Sequence, residues 1–208
     1  DAAGALCEEV DLGGGYGIAY TGADPVPPSA AEVARALADA VRVTCADLGD
    51  PVPRVSVEPG RSVIGPTTVT LYTVTGLKRV RLGGGAGRSY VSVDGGMSDN
   101  IRPALYDAAY TALLANRRPN PAAGLVRARV VGKHCESGDV VVRDVDLPGD
   151  LATGDVLAVP ATGAYGRSMA SNYNLFTRPG VAWVDGGRQG WVLRPETIED
   201  LLRLEGDA

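Results

Sequence analysis

SAAEVARALADAVRVTCADLGDPVPRVSVEPGR, residues 29–61, holds one complete helix and the strand that follows it. Ser29 and Glu32 form a capping box, a hydroxyl and a carboxylate spaced so that each accepts from a backbone N–H that the first helical turn leaves free. Val33, Leu37, Val41 and Leu48 then recur on one apolar face, and Gly49 and Pro51 end the helix. Arg54 to Val57 reads as a short strand running into Glu58-Pro59-Gly60-Arg61. Working outward, Pro25 to Pro28 cannot be helical, and Leu6 to Leu12 is a strand candidate that enters Gly13-Gly14-Gly15-Tyr16-Gly17. Strand, loop, helix, strand in this order is a parallel β/α unit.

Beyond about Ser62 the chain turns to β-branched residues with short periods and frequent turns. Thr67 to Val74, Ser89 to Val93, Leu125 to Val131, Val140 to Val145 and Val156 to Val159 are strand candidates without comparable helices between them. Val181 to Val184 and Trp191 to Leu193 flank Asp185-Gly186-Gly187 as a hairpin, and a final short helix is expected near Pro195 and Glu196. The stretch from Pro103 to Asn116 is expected to be helical, because Leu105, Ala108, Ala109, Ala112 and Leu113 fit that period. The rest reads as an antiparallel β domain.

The 208 residues are 45% apolar, enough to fill a core, and 28 Gly with 14 Pro promise many loops without reaching low complexity. A complete eight-fold β/α barrel takes about 250 residues, so this length does not hold one together with a second domain. Net charge is −5 with the basic residues scattered singly, which argues against nucleic acid as a partner. No apolar run approaches a membrane span and the first residues lack a secretory pattern, so the expected location is cytoplasmic. Cys7, Cys45 and Cys135 are too few and too unevenly spaced for a disulfide framework, and with His134 as the one histidine no metal site is expected. Lys78 and Lys133 are the only lysines available to lysine-dependent chemistry.

Five stretches could carry chemistry. Glycines between Gly13 and Gly17 let backbone N–H groups converge on an anion, although the spacing is not that of a dinucleotide fingerprint or a nucleotide-triphosphate loop. Glu58 to Arg61 places a carboxylate and a guanidinium at the neighbouring strand end, and an acid beside a phosphate pocket can keep a pyridinium nitrogen protonated. Asp94 to Tyr106 gathers polar side chains and turn formers at the exit of a strand. Cys135-Glu136-Ser137-Gly138-Asp139 sets a thiol among acids that should disfavour its thiolate, and Gly163-Ala164-Tyr165-Gly166 offers a phenol between glycines.

Taken together and in this order, Leu12 to Gly15, Glu58 to Arg61, Asp94 to Tyr106, Cys135 to Asp139 and Gly163 to Asn174 resemble the C-terminal half of the diaminopimelate decarboxylases. These are pyridoxal-phosphate enzymes of lysine biosynthesis with an alanine-racemase-like fold. The resemblance implies an α/β plus all-β chain: the last strands and helix of a β/α barrel in residues 1–62, then an antiparallel β-barrel or sandwich domain in residues 63–208. It implies that Gly13, Gly14, Gly15, Gly60 and Arg61 hold the phosphate of pyridoxal 5'-phosphate, that Glu58 pairs with its pyridine nitrogen, and that Tyr165 lies against it. Arg61, Arg102, Tyr106 and Tyr165 would contact the substrate meso-diaminopimelate, with guanidinium groups on its carboxylate and Glu136 on an ammonium. Cys135 would be the acid that protonates the product carbon, and Cys135 and Glu136 would be supplied across a homodimer interface.

Two details of the resemblance narrow the reaction. Ornithine decarboxylases of this fold have an aspartate after the cysteine where this chain has Glu136, and alanine racemases place an arginine where it has Glu58. The lysine that anchors the cofactor lies on an early barrel strand and is absent here. So is the histidine that the family stacks on the cofactor. Lys78 and Lys133 do not match the anchoring position, so these residues alone are expected to be inactive, and a chain made alone is expected to aggregate, exchange segments or leave its first third partly disordered. The alternatives are a non-catalytic binding or regulatory module of the same fold and a related ornithine- or arginine-type decarboxylase.

Overall fold

The computed structural model describes residues 7–81 and 87–206. Strand β1 (Glu9–Asp11) pairs in parallel with β2 (Arg54–Ser56), in the register Glu9↔Arg54 to Asp11↔Ser56. Between them runs α1 (Ala30–Leu48), and the expected β/α unit is present; Leu6 lies outside the described residues. The Glu32 N–H donates to Ser29 Oγ while Glu32 Oε2 accepts from the Ser29 N–H at 2.8 Å, completing the capping box. At the other end Gly49, at φ 74°, takes the left-handed conformation that closes the last turn. Helix α1 is amphipathic, yet none of its residues is fully buried. Its Leu37, Val41 and Leu48 face Val10 and Leu12 across an apolar cavity of about 490 Å³.

After α2 (Gly60–Ile64) the chain enters a six-stranded sheet. In chain order its strands are β3 (Val69–Arg81), β4 (Gly87–Val93), β5 (Leu113–Leu114), β6 (Leu125–Val131), β7 (Val140–Pro148) and β8 (Val156–Pro160). In space the order is β5-β8-β3-β4-β6-β7, and the edge strands β5 and β7 meet, so the sheet curls back on itself. Its inner face is the core: Val74, Val91, Val130, Val142, Leu147 and Leu157 are at most 1% exposed. Burial alternates along β4 and β8 with the period of two that a one-sided sheet requires.

Three expectations need correction. The sheet is not wholly antiparallel, since β4 and β6 pair in parallel, Ser89↔Ala128 to Ser92↔Val131. The connection between them crosses to the far edge to form β5 and returns, which gives it the length that a parallel pair demands. Pro103 to Asn116 is not one helix: α3 (Arg102–Tyr106) is a short helix that Asp107 stops at φ 51°. Beyond it Tyr110 and Ala112 are buried with Thr111 between them less so, a period of two, because this segment lies against the core as extended chain. Strand β3 also runs past Val74 through Lys78, which pairs with Tyr90; the register shifts by a bulge between Val74 and Gly76. The C-terminal hairpin forms as expected, β9 (Val181–Asp185) with β10 (Arg188–Leu193), because Gly186 and Gly187 supply the positive φ of its two-residue turn. Helix α4 (Ile198–Leu202) follows, capped by Thr197.

Candidate active site

The ends of β1 and β2 bring six of the expected residues together. Gly13 and Gly15 adopt φ of 72° and 87°, and a Cβ on Gly14 would stand 2.4 Å from the Glu58 carbonyl oxygen. Only glycine permits this approach, which the Glu58 N–H fixes by donating to the Gly13 carbonyl at 2.8 Å. Arg61 donates from Nε to the Tyr16 carbonyl at 3.2 Å and from Nη2 to the Gly15 carbonyl at 3.3 Å, so it braces the glycine loop from the second strand end. Gly60 opens α2 between them, with open space where a Cβ would stand. The Glu58 carboxylate is exposed and makes no hydrogen bond or ion pair among the described residues. Open left-handed glycines beside a free carboxylate fit the two polar ends of pyridoxal phosphate: backbone N–H groups for the phosphate and an anion for a protonated ring nitrogen.

A second group forms where the loop after β1 meets the sheet. Arg102 is 8% exposed, and its Nη1 donates to the Tyr110 hydroxyl at 2.8 Å. Its guanidinium lies 4.9 Å from the Tyr20 ring centroid and 5.5 Å from that of Tyr165. Tyr20 meets Tyr110 edge to face at 5.4 Å. Tyr165 sits at φ 68°, held by the preceding turn, where Gly163 packs so closely on the Ile64 carbonyl that no side chain would fit. Arg102 and Tyr165 are thus brought together as expected, while Tyr106, on the same turn as Arg102, is 61% exposed. Tyr20 and Tyr110 were not singled out by sequence; an isolated tyrosine carries no local signal that it packs on a distant arginine.

The third group is built around Asp139, which is 3% exposed. Its Oδ1 accepts from the Met97 N–H at 2.7 Å and its Oδ2 from the His134 N–H at 2.8 Å, tying the Asp94–Tyr106 stretch to the Cys135 loop. Gly96 and Gly132 leave room for that carboxylate, since a Cβ on either would stand within 2.6 Å of it. His134 Nε2 shares a hydrogen bond with Ser98 Oγ at 2.8 Å, and the Ser98 carbonyl accepts from the Ser171 N–H at 3.0 Å, which adds the segment after Tyr165. Burial pushes the neighbouring Asp99 carboxyl up. Cys135 and Glu136 are both exposed, and Glu136 Oε1 accepts from the Tyr173 hydroxyl. Of the acids expected to act on the Cys135 thiolate, Asp139 is therefore occupied by backbone N–H groups and Glu136 by a phenol.

Among the described residues no hydrogen bond or ion pair links Cys135 or Glu136 to the group at Glu58 and Arg61. Nor do any three His, Cys, Asp or Glu side chains gather as metal ligands among them. No helix among them is long and apolar enough to cross a membrane.

The family model described as the pyridoxal-dependent decarboxylase C-terminal sheet domain matches residues 34–163, and that of the pyridoxal binding domain matches residues 1–65. The diaminopimelate decarboxylase of Corynebacterium efficiens is 50% identical over 205 residues, covering 99% of this chain and 44% of that protein. That of Mycobacterium tuberculosis is 52% identical over 196 residues, covering 94% of this chain and 43% of that protein. The crystal structure of the M. jannaschii diaminopimelate decarboxylase in co-complex with L-lysine is similar with a TM-score of 0.87 at 31% identity, over 100% of this chain and 45% of that one. The chain thus spans less than half the length of the relatives it matches. With its strand-end loops and its curled sheet both inside those matches, the chain belongs to the pyridoxal-dependent decarboxylase family.

Proposed function

We propose that this chain is the C-terminal part of a cytoplasmic, pyridoxal-phosphate-dependent decarboxylase that converts meso-diaminopimelate to lysine and carbon dioxide. Residues 1–62 would be the end of its β/α barrel and residues 63–208 its β domain. The observation that carries this reading is the interlock of Gly13, Gly14 and Gly15 with Glu58 and Arg61 at adjacent parallel strand ends, with the Glu58 carboxylate unpaired among the described residues. The names of the similar proteins support the substrate, and the L-lysine held by the M. jannaschii protein is the expected product.

The residues divide the work by their chemistry. N–H groups of Gly14, Gly15 and Gly60, with Arg61, would hold the cofactor phosphate beside Gly13, whose own N–H donates to Asp11 Oδ1 at 2.8 Å, and Glu58 would keep a proton on the ring nitrogen. When bound, pyridoxal phosphate supplies an electron-withdrawing ring for the electron pair that departing carbon dioxide leaves behind. Arg61, Arg102 and Tyr106 would receive carboxylate groups of the substrate, and Tyr165, with Arg102 5.5 Å from its ring, would lie against the cofactor. Glu136 takes the distal ammonium, and Cys135 delivers a proton to the substrate carbon. Because no hydrogen bond or ion pair links the two to the Glu58 group among the described residues, a homodimer in which they complete the partner's site fits this reading.

The test uses the full-length decarboxylase that contains this chain. It is expected to release carbon dioxide from meso-diaminopimelate in preference to ornithine or arginine, and Glu58→Gln is expected to remove most of that activity. Preference for ornithine, or an unimpaired Glu58→Gln enzyme, would overturn the assignment.

A further inference from the structure

Glu136 is an exposed side chain with three free torsions, and a carboxylate of that kind does not select a ligand unless something holds it. One group does: the Tyr173 hydroxyl donates to Glu136 Oε1 at 2.5 Å. That phenol is itself fixed. Tyr173 begins a turn in which Asn174 and Leu175 both have positive φ, 56° and 57°, and Asn172 secures the turn by donating to the Phe176 carbonyl at 3.0 Å. The Tyr173 ring lies 5.3 Å from that of His134, which is buried, hydrogen-bonded to Ser98, and met edge-on by Phe176 at 5.2 Å.

We propose that Tyr173 is a positioning residue for substrate specificity, whose hydroxyl holds Glu136 in the orientation that receives the distal ammonium of the substrate. The inference rests on the role given to Glu136 above. With Oε1 engaged by the phenol, Oε2 is left to the ligand, and the glutamate no longer has to be ordered when the substrate arrives. The Glu136 carboxylate also pushes the Tyr173 phenol up, so it stays protonated and remains a donor. Tyr173 and Glu136 belong to the same chain, so the pair enters any site as a unit.

The experiment compares full-length holoenzyme with Tyr173→Phe, which keeps the ring against His134 and removes only the hydroxyl. The probes are meso-diaminopimelate as substrate and 2-aminopimelate, which lacks the distal ammonium, as competitive inhibitor. Tyr173→Phe is expected to raise KM for meso-diaminopimelate about tenfold, to leave kcat within about twofold and to leave the inhibition constant of 2-aminopimelate unchanged. Glu136→Gln is expected to act in the same direction and more strongly, and Tyr173→Phe should add nothing in that background. Equal losses for both ligands, a fall confined to kcat, or additive effects of the two substitutions overturn the positioning role. If Glu136→Gln itself leaves the discrimination intact, the ammonium assignment fails and the positioning role with it. If Glu136→Gln is damaging and Tyr173→Phe is silent, only the positioning role fails.

Discussion

Asp139 is the side chain whose loss should be felt furthest, because it accepts backbone N–H groups from two loops at once. Its two oxygens accept backbone N–H groups of Met97 and His134 at 2.7 and 2.8 Å while the residue is 3% exposed. A hydrogen bond to a charged partner contributes about 1.5–3 kcal/mol, so Asp139→Ala should destabilise the sheet by about 3–5 kcal/mol once both donors are left buried. At about 2–4 °C per kcal/mol that is a fall on the order of 10 °C in Tm. Asp139→Asn keeps one acceptor and turns an amide N–H₂ toward the other donor, so about half of that loss is expected. A second substitution tests the cause. A Cβ on Gly132 would stand 2.2 Å from Asp139 Oδ2, so Gly132→Ala alone must displace the carboxylate and should cost about 1–3 kcal/mol. Once Asp139→Ala has removed that carboxylate, the three atoms nearest to that methyl group are gone, and its cost should fall. The assay is thermal unfolding of the full-length protein and its three variants as a double-mutant cycle. Additive losses, or an Asp139→Ala protein within about 1 kcal/mol of the parent, would refute the clamp.

Two further outcomes are expected. The Arg178 side chain, which pairs with Glu196, holds the Glu196 carboxyl at about 2, below its ordinary 4.5. A depressed folded value contributes stability that is complete above 4.5 and disappears as pH falls through about 2; the shift corresponds to about 3 kcal/mol at most, and solvent screening reduces it to about 1–2. The Tm gap between parent and Glu196→Gln should therefore narrow steadily below pH 4.5, and a gap that stays constant into acid would show that the ion pair does not carry it. Gly14→Ala puts a methyl group 2.4 Å from the Glu58 carbonyl oxygen, whereas Gly17→Ala meets open space. Absorbance titration with pyridoxal phosphate should show at least about tenfold weaker binding for the first and none of that loss for the second; equal affinities would separate the glycine loop from the cofactor.

What could be read from the residues alone was whatever is decided within a few positions along the chain. Ser29 with Glu32 and Gly49 fixed both ends of α1, and Gly186-Gly187 fixed the hairpin, because a cap or a tight turn is satisfied by its immediate neighbours. The stretch from Pro103 to Asn116 misled because its alanines fit two periods. Ala108 and Ala112 are four apart, which suits a helix and also the same face of a strand, and packing of Tyr110 and Ala112 against the core decided for extended chain. Strand direction left no trace either, since nothing in Ser89 to Ser92 or Ala128 to Val131 says that the two will run in parallel. The candidate site divides in the same way. Its glycines and clustered acids were visible as unusual local sequence, while Tyr20, Tyr173 and His134 owe their places to partners far along the chain, at Arg102, Glu136 and Ser98.

The structure makes the parts of this site unequal in what supports them. The Cys135–Glu136 loop is clamped by residues 96–99, 132–139 and 171–173, all in or beside the six-stranded sheet, whose core is closed. Arg102 is held by the core residue Tyr110 but is also covered by Tyr20, which reaches it from the loop after β1, and Tyr165 depends on Gly163 fitting beneath Ile64 at the end of α2. Those supports continue into the β1–α1–β2 unit, where α1 has no fully buried residue and faces an open apolar cavity of about 490 Å³. Local opening follows sparse burial, so the Arg102 end of the site is the softer one.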